Sequence, residues 1–232
     1  MNFVSIGGLC NPNLALRGSG LRHCSLPFDW VRSKFEGVIE CIESDFSNYY
    51  PKKIIPTKWI KENKVFFRGK HFTFFHHDIT DKTVISKLNH RIGRFKKVIY
   101  GNDIIFMRTM LYTSEYDKEL KHVEDFHAVM KSRFPGTSYK LVFTIENQEQ
   151  SRFFRRYDER TFCFTANCPV RTDPRTSLDE YYAKVYEPIL STIINTEYLT
   201  KTIPKDQNIN IIHDNRHLCD WMVNGHIPVF SK

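Results

Sequence analysis

The chain has 232 residues, a length that one α/β domain commonly reaches, and we expect a single domain over residues 1–232. Hydrophobic residues make up 41% of the composition, which is enough to fill a core, but no apolar stretch is long enough for a membrane-spanning helix. The net charge of +8 favours anionic partners such as nucleic acid, phosphorylated sugars or nucleotide sugars.

Targeting signals and cofactor motifs are not evident in the sequence. The N-terminus lacks the basic segment of a secretory signal, and the six cysteines fit reduced thiols. We therefore expect a cytoplasmic protein without a membrane span. The sequence has no Walker loop and no G-x-G-x-x-G fingerprint, and its Cys and His pairs are too far apart for a compact zinc finger. These observations predict neither a metal nor a cofactor.

Short apolar segments alternate with amphipathic segments along the chain. Residues 2–6 are predicted to form a strand and residues 11–18 a helix with Pro12 in its first turn. The next predicted elements are a helix over 35–44, a β-hairpin with arms 65–67 and 72–75, a helix over 81–100, a strand over 103–107, a helix over 117–134, strands over 139–145 and 160–165, a helix over 178–195, a strand over 208–212 and a short helix over 217–223. This alternation predicts an α/β fold with a Rossmann-like, mostly parallel sheet, helices on both faces, and a β-hairpin in the N-terminal half.

Cys10 follows the first predicted strand, at the edge where α/β sheets commonly build their sites. If Pro12 begins a helix, the helix dipole would lower the pKa of the Cys10 thiol, and Arg17 and Arg22 would add positive potential. The backbone N–H groups near Gly8 and Cys10 would then stabilise an oxyanion. The alternative is a buried cysteine at a tight turn.

The segment 21–30, with the sequence LRHCSLPFDW, combines an arginine, an aspartate and a tryptophan directly after this candidate site. Asp29 would either cap a helix that begins near Trp30 or orient Arg22 or a catalytic histidine. We predict that Arg22 and Asp29 contribute to substrate binding.

His76, His77 and Asp78 end the second arm of the predicted hairpin. Alternation along a strand directs the two histidines to opposite faces, so one of them at most can face Cys10. We prefer His77 as the general base, with Asp78 fixing its tautomer. The alternative is that Asp78 caps the following helix while both histidines lie on the surface.

Asp214 and His217 form a second candidate for the base and its orienting carboxylate, because they follow the last predicted strand. Their Asp-x-x-His order after an early nucleophile resembles that of SGNH-type serine esterases, with Cys10 in place of serine. The alternative is a helix-capping aspartate beside a surface histidine.

The assembled motifs resemble a family described as papain-like cysteine peptidases (DUF1796-type), which occurs in bacteria and large DNA viruses. The resemblance implies Cys10 as the nucleophile and His76 or His77 as the base, acting on a peptide, acyl or carbohydrate-linked substrate. For a viral member, the compartment would be the host cytoplasm. The matching segments are 5–10, 21–22 with 25–30, 75–78 and 91–95.

Three functions therefore stay open at the level of sequence. The first is a cysteine-dependent hydrolase or acyl-transfer enzyme centred on Cys10. The second is a glycosyltransferase or another enzyme that handles a nucleotide sugar or phosphorylated sugar, in which Arg22, Arg91 and Arg94 bind phosphate. The third, a basic module that binds nucleic acid or protein, is not favoured. In either enzyme we predict that Arg94 contacts the substrate.

Overall fold

The computed structural model describes residues 1–51, 55–59, 64–110 and 116–195, with the backbone alone for 55–59 and 64–66. In chain order its elements are β1 (Asn2–Ser5), α1 (Asn11–Gly18), β2 (Arg32–Ser33), α2 (Phe35–Glu43), β3 (Ile55–Trp59), β4 (Lys64–Arg68), β5 (Phe72–Phe74), α3 (Lys82–Ile99), β6 (Asp103–Thr109), α4 (Tyr116–Leu120), α5 (Val123–Arg133), β7 (Ser138–Ile145), β8 (Arg152–Arg156), β9 (Thr161–Thr165) and α6 (Leu178–Ile194).

The main sheet has five strands in the order β1-β6-β7-β9-β8. The first four of these strands run parallel to their neighbours, and β8 pairs antiparallel with β9 at the edge. The predicted mostly parallel sheet is therefore confirmed. Because the parallel strands point the same way, the segments that follow β1, β6, β7 and β9 all emerge at the carboxyl ends of the strands. The candidate site lies along this carboxyl edge of the sheet.

Helices cover both faces of this sheet, as predicted. On one face, Phe3 of β1 packs in a cluster with Leu16 of α1 and Ile189 of α6. On the other face, Val4 packs in a cluster that includes residues of α2, α3 and α5. Successive strand residues alternate between the two clusters because side chains of a strand point to opposite faces in turn.

A second, antiparallel sheet has the order β2-β5-β4-β3. Its β4 and β5 form the predicted hairpin, in which Phe67 is paired with Phe74. The sequence pattern missed β2, which has only two residues, and β3, in which Pro56 masks the strand signal. The Ser33 N–H, in β2, donates to the Gly8 carbonyl oxygen at 3.2 Å, so this sheet adjoins the candidate site.

Two further differences concern the C-terminal half. The predicted helix 117–134 is two helices, because the chain turns at residues 121–122 between α4 and α5. The edge strand β8 was missed because arginines interrupt its apolar pattern. The predicted strand 208–212 and helix 217–223 lie outside the described residues, and the single domain over 1–232 stays a prediction. Within the described ranges, none of the helices has the length and apolarity needed to cross a bilayer.

Candidate active site

The turn after β1 brings the chain across the end of β6. Gly7 and Gly8 both have positive φ angles, +78° and +81°, which glycine adopts without strain. The Thr109 N–H donates to the Gly7 carbonyl oxygen at 3.2 Å. A Cβ atom on Gly8 would overlap the carbonyl group of Thr109, so only glycine fits at this position.

We expect the substitution Gly8→Ala to destabilise the protein by at least about 1–3 kcal/mol, the usual cost of a strained backbone conformation, with the steric overlap adding to it. The free energy of unfolding from urea denaturation measures this. Gly93→Ala in α3 is the matched control, because a Cβ atom there meets no neighbour within 4 Å. Equal stability of the two variants would contradict the proposed constraint.

The Gly8 N–H donates to the Ser33 Oγ atom at 3.0 Å. This donor is therefore already used within the fold. Its contacts hold the turn against β2, and the contributions of Gly8 to an oxyanion hole and to substrate binding stay predictions.

Cys10 is the N-cap residue of α1 and is half-buried, and Leu14 donates its N–H to the Cys10 carbonyl oxygen. The thiol Sγ lies 3.7 Å from Asn11 Oδ1. Burial, followed by the negative charge of Glu146, raises the pKa of Cys10 to about 11. The prediction of a lowered thiol pKa is therefore wrong. The desolvation of the thiol and the nearby carboxylate outweigh the helix dipole, and Arg17 is paired with Asp179 at 2.6 Å.

Glu146 directly follows β7 and is buried at the same edge of the sheet. Its Oε2 atom accepts a hydrogen bond from Asn11 Nδ2 at 2.6 Å, and its Oε1 atom accepts one from the Tyr186 hydroxyl at 2.6 Å. That hydroxyl also lies 2.9 Å from Thr109 Oγ1 and 3.0 Å from Thr144 Oγ1. Burial raises the pKa of the Glu146 carboxyl, and these hydrogen bonds oppose the shift in part.

Cys168 and Tyr182 also lie near this carboxylate. Burial raises the pKa of the Cys168 thiol, and the charge of Glu146 raises it further. The pKa of Tyr182 is raised by burial first and then by Glu146, Cys168 and Cys10. The sequence interpretation missed Glu146, although a carboxylate directly after a predicted parallel strand is a signal that could have identified it.

The segment 21–30 is held together by its own charged residues. Asp29 accepts the Leu26 N–H at 2.8 Å and forms an ion pair with Arg22 at 3.2 Å. Burial raises the pKa of Asp29 to about 6, against the opposing effects of its hydrogen bonds and of Arg22. Asp29 therefore orients Arg22, as one of the two interpretations predicted. The interpretation of Asp29 as the cap of a helix is wrong, because no helix begins near Trp30.

Arg22 and Arg94 both bind backbone oxygens of this segment. Arg22 Nε donates to the Cys24 carbonyl oxygen at 3.1 Å, and Arg94 donates to the Ser25 carbonyl oxygen through Nε and Nη2. These contacts favour a structural role for the two arginines. Binding of a substrate or a phosphate by Arg22, Arg91 and Arg94 stays a prediction.

The two histidines of the cluster contact Arg91 and Trp30. His77 Nε2 is 3.0 Å from Arg91 Nη1, and burial together with the Arg91 charge lowers the pKa of His77 to about 4. The His76 ring packs against Trp30 with centroids 5.5 Å apart. A second positive charge beside Arg91 is unfavourable, so His77 is poorly suited to hold a proton.

Asp78 accepts the N–H of Thr80 at 2.9 Å, so its contact lies within its own turn. The N-cap of α3 is Asp81, which accepts the Thr83 N–H. The interpretation of Asp78 as the cap of this helix is therefore wrong, and its orientation of a histidine stays a prediction. Asp214 and His217 lie outside the described residues.

A comparison with protein families finds a match over the N-terminal part of the chain. The family model described as "Putative papain-like cysteine peptidase (DUF1796)" matches residues 1–149, a range that contains both Cys10 and Glu146. No curated protein and no solved structure matches the chain. The family match covers well over half of the 232 residues. The chain therefore belongs to the DUF1796 family that this model describes.

Proposed function

We propose that the protein is a cysteine-dependent hydrolase with peptidase-type chemistry, in which Cys10 is the nucleophile and Glu146 accepts its proton. The observation that carries the proposal is that the Asn11 side chain lies between the two groups. Its Oδ1 atom faces the thiol at 3.7 Å, and its Nδ2 atom donates to the carboxylate at 2.6 Å. Asn11 thereby orients both groups at the edge of the sheet where α/β folds bind their ligands.

The proposed first step conserves the charge of the site. Sγ forms a bond to the substrate carbonyl carbon, and the carbonyl oxygen takes the electron pair. Because Asn11 separates the thiol from the carboxylate, the thiol proton reaches Glu146 by way of a water molecule. Collapse of this intermediate expels the amine, which takes up the proton, and leaves a thioester that water hydrolyses. One negative charge is present throughout, first on Glu146 and then on the reacting oxygen. Burying a second negative charge in this site is therefore unnecessary.

A neutral thiol with a raised pKa fits this proposal better than a permanent thiolate. A carboxyl group whose pKa is raised by burial is also a better proton acceptor than an exposed one. His77, paired with Arg91, lacks this property. The pair Asp214 and His217 remains an alternative source of the base, from outside the described residues.

Covalent labelling with a peptidyl vinyl sulfone tests the assignment of the nucleophile. We expect one adduct on the peptide that contains Cys10, and we expect Cys10→Ala to lose it. Cys24→Ala is the matched control, because Cys24 is likewise only partly buried but belongs to the 21–30 segment. Labelling that persists in the Cys10→Ala variant, or peptide hydrolysis by that variant at the wild-type rate, would contradict the proposal.

A further inference from the structure

A groove of about 340 Å³ lies between the loop that follows β9 and the first turns of α6. Asn167, Pro169 and Arg171 line it from the loop, and Tyr181 and Lys184 line it from the helix. The Tyr181 hydroxyl donates to the Pro169 carbonyl oxygen at 2.6 Å, so the two walls are joined by a hydrogen bond. The groove is thus a formed feature of the surface.

Hydrogen bonds connect this groove to the residues around Glu146. The Gln148 N–H donates to the Ala166 carbonyl oxygen at 3.0 Å, and Gln148 Nε2 donates to the Glu146 carbonyl oxygen at 3.0 Å. Asn167, in the groove wall, donates through Nδ2 to the Glu149 carbonyl oxygen. The loop that begins at Glu146 and the loop that lines the groove therefore form one hydrogen-bonded unit.

Two side-chain contacts continue from the groove toward the thiol. Tyr181 lines the groove, and its ring packs edge-on against Tyr182 with centroids 4.9 Å apart. The Tyr182 ring in turn packs against Tyr186 with centroids 6.5 Å apart, and the Tyr186 hydroxyl donates to Glu146 Oε1 at 2.6 Å. Cys168 itself stands in sequence between two groove residues, Asn167 and Pro169. The groove and the Cys10 site are thus neighbours along the carboxyl edge of the sheet.

The charges that line the groove are predominantly positive. Arg171 and Lys184 are exposed there, and Arg171 Nη1 donates to the Thr176 carbonyl oxygen at 3.0 Å, which holds the guanidinium at the rim. Asp173 also lines the groove, but its carboxylate is paired with Arg175 at 3.1 Å. The two remaining cations suit a carboxylate, and Val170 and Val185 add apolar surface beside them.

We propose that this groove binds a peptide segment that carries an aspartate or glutamate side chain, with Arg171 and Lys184 as the carboxylate ligands. This inference rests on the proposed function, because the bound segment would extend from the scissile bond at Cys10. The site would then select acidic sequences on one side of that bond. A surface groove with a positive rim and an apolar wall fits an extended peptide with one carboxylate.

Fluorescence anisotropy with labelled peptides tests this inference without requiring turnover. The full chain is titrated with peptides of equal length that differ only by Glu or Gln at one position, scanned along the peptide. We expect at least one position at which Glu lowers Kd about tenfold, the effect of about 1.4 kcal/mol. In the Arg171→Gln/Lys184→Gln variant, this preference should vanish. The rate of Cys10 alkylation by iodoacetamide should stay unchanged.

The matched control is Lys97→Gln/Lys131→Gln, which removes the same charge from exposed positions on α3 and α5. This variant should keep the preference for Glu. A preference lost equally in both variants would overturn the inference, as would its absence from the wild type or equal competition by inorganic phosphate. If the groove binds as proposed but Cys10 is never labelled by the vinyl sulfone, the proposed function fails and the groove assignment stands.

Discussion

The substitution Glu146→Gln should lower hydrolysis about 10²–10⁴-fold, the range that general-base catalysis supplies, and should at the same time accelerate alkylation of Cys10. The two effects have opposite signs because Glu146 has two influences on the thiol. In the proposed reaction its carboxylate accepts the thiol proton, and its negative charge raises the pKa of Cys10 in the resting protein. Glutamine keeps the size of the side chain and removes both influences.

The sign of the alkylation effect follows from the thiolate fraction. With a pKa of about 11, roughly one Cys10 thiol in a thousand is ionised at pH 8 in the wild type. Removal of the negative charge lowers this pKa, so the alkylation rate at pH 8 rises and its titration curve moves to lower pH. Iodoacetamide rates between pH 6 and pH 10, with peptide hydrolysis measured in parallel, provide both readouts.

Glu149→Gln is the control for this experiment, because it makes the same chemical change at an exposed position three residues further along. We expect it to affect neither rate. If Glu146→Gln slows alkylation and hydrolysis together, Glu146 supports the fold alone. If hydrolysis stays at the wild-type rate, the proton goes elsewhere, and His217→Ala becomes the next variant to measure.

The substitution Arg108→Leu should destabilise the protein by about 3–5 kcal/mol, the usual cost of breaking a buried ion pair. Arg108 lies on β6 and is fully buried. Its Nε donates to Glu119 Oε2 at 2.7 Å, its Nη2 to the Ser33 carbonyl oxygen at 2.8 Å, and its Nη1 to the Ile6 carbonyl oxygen at 3.2 Å. Leucine would remove the Arg108 cation from the buried Glu119 carboxylate and would leave the Ser33 and Ile6 carbonyl oxygens without these donors.

The free energy of unfolding from urea denaturation measures this loss. Arg133→Leu is the control, because its ion pair with Asp45 is exposed and should contribute at most about 1 kcal/mol. The double variant Arg108→Leu/Glu119→Leu should recover part of the stability, because it removes both charges of the buried ion pair. A single Arg108→Leu variant within about 1 kcal/mol of the wild type would contradict the assigned role.

Arg108 also connects the core to the candidate site. Arg108 donates to the Ser33 carbonyl oxygen, and the Oγ atom of the same serine accepts the Gly8 N–H. A partly folded Arg108 variant should therefore lose the geometry of the turn before Cys10. The sequence indicated none of this, because an isolated arginine within a short apolar strand does not reveal which carbonyl groups it will meet.

Local patterns predicted most of the architecture. The spacing of the apolar residues located α2, α3 and α6, because one face of each helix is buried, and short apolar runs located the strands β1, β6, β7 and β9, because both faces of these strands are buried. The pattern failed where tertiary contacts override it. The two-residue β2 exists through pairing with β5, and β8 keeps its arginines because it lies at the edge of the sheet.

By itself, the sequence determined the α/β class and the position of Cys10 after the first strand, because both follow from contacts between residues close together in the chain. Only the tertiary structure decided the surroundings of the thiol. Asn11 and Glu146 are 135 residues apart, and their hydrogen bond forms because parallel strands end at one edge of the sheet. The tertiary structure also decided that the pKa of the Cys10 thiol is raised, because burial and a carboxylate distant in sequence outweigh the adjacent helix dipole.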